Sequence, residues 1–160
     1  AIFGPYIPLW FIGDDWGNLL KPGCGMFNNY IDWSTLEIPE NRAFYEDFKK
    51  MIGIRRQYPE IFEYFPENHR ESNICKIQSN CNLQAYARYA DGKAIFVLPN
   101  YSDQELHAEA SFAPEDMGLE AGQTYQLTQL FPEKAVISNC NNTFKVNIPA
   151  QSLAVILAEK

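Results

Sequence analysis

The run from Tyr6 to Ile12, inside "GPYIPLWFIGDDWGN" at residues 4–18, limits the fold more than any other stretch. It is too short to span a bilayer, which takes about 20 apolar residues. It has neither the basic flank before it nor the small-residue cleavage site after it that mark a secretory signal. An apolar run that stops at Gly-Asp-Asp reads as one strand buried on both faces, as in parallel sheets covered by helices on each side. Such a strand needs neighbours, and the rest of the chain decides whether it has them.

At 160 residues the chain has room for one domain, or for a small domain and a piece of another. A globule of that size buries roughly 70% of its unfolded surface, so a core without staples is feasible. Hydrophobic residues at 46% and charged residues at 21% are globular rather than disordered proportions. A net charge of −7 with no basic stripe argues against nucleic acid and against an anionic membrane surface as partners. No targeting segment is found, and a soluble chain is expected, its compartment left open. Cys24, Cys75, Cys81 and Cys140 match no zinc spacing, and reduced, buried thiols are favoured over a disulfide. Asn100-Tyr-Ser and Asn141-Asn-Thr fit the N-glycosylation acceptor pattern.

The character of the chain changes twice. Residues 13–38 hold glycines and asparagines that suit a long loop, and loops of that length tend to be functional. A helix is predicted from Asn41, as N-cap, to Tyr58, with Phe44, Phe48, Met51 and Ile52 on one face and Pro59 as its stop. From Ile74 the period becomes two. Strands are predicted at 74–79, 83–90, 93–101, 105–112, 124–131, 134–138, 143–148 and 152–158. Asp91-Gly92 marks a hairpin between the second and third of them. The expected fold is therefore mainly β: an antiparallel Greek-key sandwich of about eight strands, preceded by a βα unit that does not fit its pattern.

Several motifs are family-like. "GPYIPLWFIGDDWGN" resembles the eighth barrel strand and following loop of the α-amylase family of glycoside hydrolases, with Asp15 where that family more often has Glu. "IDW" at 31–33 resembles the segment before its last barrel helix, and "FYEDFKKMIGIRRQYPEIF", from Phe44 to Phe62, is similar to that helix. "AIFVLPNYSDQ" and "FKVNIPAQSLAVILAEK" look like the third and closing strands of its C-terminal sandwich. The resemblance covers nearly the whole chain, in order. It implies that residues 1–65 are the last strand, loop and helix of a truncated (β/α)8 barrel and residues 66–160 the C-terminal β-sandwich. The partners of strand 6–12 then belong to barrel strands outside this sequence.

The family works with two carboxylates about 5–5.5 Å apart, supplied by other barrel strands. Their motifs are not found here; "NHR" at 68–70 lacks the aspartate of the family's similar triplet. The resemblance thus implies a piece that is not catalytic by itself, no cofactor, and the barrel of the same polypeptide as partner. Asp14 and Asp15 cannot form a working pair if they lie on a strand, because adjacent residues face opposite ways. Two readings stand: one aspartate caps loop amides while the other meets solvent or a basic neighbour, or, as the resemblance implies, Asp14, Asp15 and Trp16 help shape the barrel mouth, where sites of this architecture lie. A calcium reading of Asp14, Asp15 and Asn18 falls short of the six to eight or so oxygens that ion takes. His69 and His107 lack partners at metal spacing, and no serine has a GxSxG setting.

The alternative class is an independent carbohydrate-binding module for α-glucan oligosaccharides. Tyr86, Tyr101 and Tyr125 are its candidate stacking residues, provided that they share one exposed surface. Residues 6–12 are further expected to self-associate through free strand edges or to dock on the chain's own helix.

Overall fold

The computed structural model describes residues 2–4, 7–10, 13–17, 31–62, 73–81, 83–140 and 142–160. Helix α1 (Pro39–Gln57) starts at Pro39, whose ring presets the helical φ at N1, where no N–H is needed. The helix therefore begins before Asn41. Asn41 is not its N-cap; the Asn41 amide reaches back and donates to the Thr35 carbonyl at 2.9 Å. The short helix α2 (Pro59–Phe62) follows Tyr58.

The strands are β1 (Ile74–Lys76), β2 (Gln78–Ser79), β3 (Tyr86–Ala90), β4 (Lys93–Asn100) and β5 (Leu106–Ser111), then β6 (Gln126–Phe131), β7 (Ala135–Ile137), β8 (Asn139–Cys140), β9 (Thr143–Ile148) and β10 (Ser152–Glu159). Among the described residues they form a six-stranded sheet, β1-β3-β4-β10-β6-β7, and a four-stranded sheet, β2-β5-β9-β8. Every pairing is antiparallel. Sequence-distant partners (β4 with β10, β5 with β9) give the crossing connections of a Greek key, so the expected β-sandwich is the observed one. Asp91 and Gly92, at φ of 49° and 73°, supply the two left-handed positions of the β3–β4 hairpin.

The segment expected as one strand at 74–79 is two. The chain leaves the large sheet after Lys76, buries Ile77 in the core, and enters the small sheet at Gln78. The run 6–12 also departs from expectation. Residues 7–10 carry no strand pairing, with Ile7 77% and Leu9 89% exposed; Tyr6, Phe11 and Ile12 lie outside the described residues. An extended apolar segment becomes a buried strand only when neighbours accept its backbone bonds, and no described strand lies beside it. Trp10 instead sets its ring edge-on to Phe48 of α1, centroids 5.2 Å apart. The expected division at 65/66 falls outside the described residues.

Strands β4 and β10 occupy the middle of a three-layer stack. Ala94, Phe96, Leu98, Ala154, Ile156 and Ala158 face the small sheet, while Ile95, Val97, Val155 and Leu157 face the helices. Both runs are buried without a break because both faces are covered. In β9 only Phe144, Val146 and Ile148 are buried, and Lys145 and Asn147 meet solvent. Burying a large aliphatic or aromatic side chain contributes about 1.5–3 kcal/mol, so the two-sided strands hold the greatest share of the core.

The helix layer is fastened by two arginines. Arg88 on β3, 1% exposed, donates to the carbonyls of Gly4 (2.7 Å) and Ile61 (2.9 Å) and to Asn73 Oδ1 (2.6 and 2.9 Å). Arg55 on α1 donates to the carbonyls of Ile2, Gly4 and Phe62. Both guanidinium groups lie over the Phe62 ring, at 5.1 Å for Arg55 and 5.5 Å for Arg88. Asn73 closes the set by donating to the Ile61 and Tyr89 carbonyls. Burial, reinforced by the nearby Arg55 charge, lowers Arg88 to about 10, and burial lowers Arg55 as well. Among the described residues no helix is long and apolar enough to cross a membrane.

Candidate functional site

Gly13 and Gly17, at φ of 101° and 72°, bracket a single turn of 3-10 helix, Asp14–Trp16. These are backbone angles that glycine adopts without strain. The two aspartates are therefore not on a strand, and their opposed orientation has to be replaced by a tight turn. The Asp15 carboxylate accepts from Gly13 N at 3.1 Å, which is the expected capping of a loop amide. Asp14 stands exposed. Trp16 is 2% exposed, and its indole N–H donates to Thr35 Oγ1 at 3.1 Å.

Thr35 belongs to a second 3-10 segment, Trp33–Glu37, opened by Asp32, whose carboxylate accepts from Ser34 N at 3.1 Å. This places Trp33 over Trp16, centroids 5.1 Å apart and ring planes tilted by 31°. Tyr45 of α1 meets the other ring edge-on at 6.5 Å. Trp33 remains 59% exposed and presents an aromatic plate supported from below, beside the Asp14 turn. Such a plate can stack a flat or ring-shaped apolar face. "IDW" pointed to this segment, but Trp33 and Tyr45 were not legible as site residues; their spacing to Trp16 depends on the loop between them.

The three candidate stacking tyrosines separate. Tyr125 is 1% exposed in the core between the sheets, its hydroxyl accepting from Glu120 N at 2.7 Å, so it has no free face. Tyr86 and Tyr101 do come together, lining a groove of about 630 Å³ with Phe44, Phe48 and Met51. Tyr101 is 79% exposed; Tyr86 is half-buried, and burial pushes its hydroxyl above the usual tyrosine value.

Other candidates resolve simply. Asn18, Cys24 and His69 lie outside the described residues, and among the described residues no cluster of three acidic, histidine or cysteine side chains is placed to hold a metal. His107 sits on the exposed face of β5 and shares a hydrogen bond with Asn147 Oδ1 at 2.8 Å. Cys75 and Cys81 are free thiols, and burial raises Cys75. Asn100, an acceptor candidate by sequence, is 1% exposed. Its amide donates to the carbonyls of Gln104, Ile148 and Pro149.

The fold matches solved structures across nearly all of the chain. It superposes on the maltogenic α-amylase AmyB of Thermotoga neapolitana (TM-score 0.65, 15% identity) over 99% of this chain and 34% of that one. For the α-amylase GTA of Geobacillus thermoleovorans, solved with acarbose, the values are 0.68 and 12%, over 99% and 31%. For the debranching enzyme of Nostoc punctiforme they are 0.67 and 16%, over 97% and 29%. By fold, this chain matches part of an α-amylase. It spans about a third of the length of these enzymes, consistent with the C-terminal part of one. No family model and no curated protein matches the sequence.

Proposed function

We propose that this chain is the C-terminal, non-catalytic part of an α-glucan-active glycoside hydrolase, and that its sandwich braces the catalytic barrel. The observation that carries the reading is the apolar surface around the first half of α1. Phe44 of α1, Trp10 packed on Phe48, and Trp33 stacked on Trp16 beside Tyr45 are 40–59% exposed there, on a chain whose fold fills only about a third of the enzymes it matches. Exposed apolar groups gathered in one region mark an interaction face. A barrel resting on α1 would cover them and place Asp14, Asp15 and Trp16 at its mouth.

Immunodepletion tests this. Antibody against the chain should remove starch-degrading activity from an extract of the source cells and detect a band several-fold heavier than 18.4 kDa. The purified chain should release no reducing ends from starch. A single band near 18.4 kDa, with the activity left in solution, would overturn the proposal. The carbohydrate-module reading rests on Tyr101 and Tyr86 sharing a groove, and calorimetric titration of the chain with maltooligosaccharide decides it.

A further inference from the structure

The Arg55–Arg88 cluster joins the first residues of the chain, α1, α2 and β3 through directional bonds. Arg88 points four of its five N–H groups at oxygens from three places: Gly4 near the start, Ile61 in α2, and Asn73 ahead of β1. Arg55 approaches from α1 and adds Ile2 and Phe62, so Gly4 O receives N–H groups from both arginines. Among the described residues neither cation has a carboxylate partner. Their acceptors are neutral: backbone carbonyls, and the Asn73 side-chain oxygen, whose amide is oriented by its own bonds to the Ile61 and Tyr89 carbonyls.

This differs from an ion pair between flexible surface side chains. A planar guanidinium reads the directions of its acceptors, and it loses most of its donors if the acceptors rotate away. Apolar contact alone would allow the Ile2–Gly4 segment to slide on Phe62, since Phe3 and Phe62 meet at a centroid distance of 5.7 Å with no directional bond. We propose that Arg55 and Arg88 form a latch that fixes the Ile2–Gly4 segment to α2 and to β3, so that the position of the chain entering residues 7–17 is set by the sandwich. The latch makes the segment, the helices and the large sheet one mechanical unit. It accounts for a cation buried at β3 where an apolar residue would pack at lower desolvation cost.

The test uses the full 160-residue chain. In Arg55→Met, chymotrypsin cleavage after Phe3, which is 3% exposed in the latched segment, should, followed by mass spectrometry, be at least about tenfold faster than in the parent. That is the local opening expected when charge-assisted bonds are lost. Cleavage within β3, β4 and β10 should stay unchanged. Arg55→Lys, which keeps the charge but not the fork, should also release the segment, though less. Arg88→Lys applies the same comparison to the buried partner; if it does not fold, the Arg55 pair still decides. Cleavage after Phe3 unchanged in Arg55→Met, or acceleration spread equally over segment and strands, would overturn the latch.

Discussion

The two faces of the six-stranded sheet are built on different principles. Towards the small sheet the core is apolar and tightly spaced: Ala87, Ala94, Ala108, Ala110, Ala154 and Ala158 are at most 1% exposed and let the sheets approach. The rings of Phe112 and Phe144 flank Phe96 at 4.9 and 5.4 Å. Towards the helices, Ile95, Val97, Val155 and Leu157 meet side chains from α1, α2 and the first residues of the chain, together with two guanidinium groups and the phenols of Tyr58 and Tyr86. The first core packs two sheets face to face, each of them already held by its own backbone ladders. The second receives elements without a ladder to the sheet, and directional bonds do for them what strand pairing does within each sheet.

The sharpest attack on this contrast is Phe96→Ala. Removing a fully buried ring between two others should cost about 3–5 kcal/mol. Far-UV signals of sheet and helix should then disappear together at a lower denaturant midpoint. Ile61→Ala, at a 0% exposed position in α2, should cost less, toward the lower end of about 2–5 kcal/mol. There the helical signal at 222 nm should fade before the sheet unfolds, and coincident loss would erase the distinction between the cores.

The smallest effect is one of pH. Burial raises Tyr58 and Tyr86 above the ordinary tyrosine value, so each contributes stability that is intact below about pH 10 and lost as pH rises through its folded value. Tyr86→Phe should therefore flatten the fall in melting temperature above pH 10 and leave it unaltered at pH 8.

The sandwich was legible because its signals are local. Alternation placed Leu83, Ala85, Ala87 and Tyr89 on one face of the strand, and all four border the inter-sheet core. Asp91-Gly92 announced its own hairpin. The two-sided burial of β4 and β10 was not read from the sequence, because the layer that covers their second face comes from the helices. What stayed hidden depends on tertiary context. Pro39 displaced Asn41 as the helix start, and Ile77 divided a strand between sheets. The turn at Asp14–Trp16 replaced an extended pair because flanking glycines allowed it. Of the candidate site, Trp16 was legible; the Trp33 plate over it was not, since nothing in the local pattern relates residues joined by a long loop.

Asn100 shows how the order of synthesis enters the finished molecule. Its amide nitrogen is committed to Ile148 and Pro149, 48 and 49 residues further along the chain. Until the ribosome has delivered those carbonyls, the Asn-Tyr-Ser acceptor is free; afterwards it is walled in. In a glycosylating compartment, occupancy at Asn100 would act as a clock, recording whether the end of β9 arrived before the transferase did. A chain that received sugar there would carry it where the end of β4 must close, and would be marked by its own lateness.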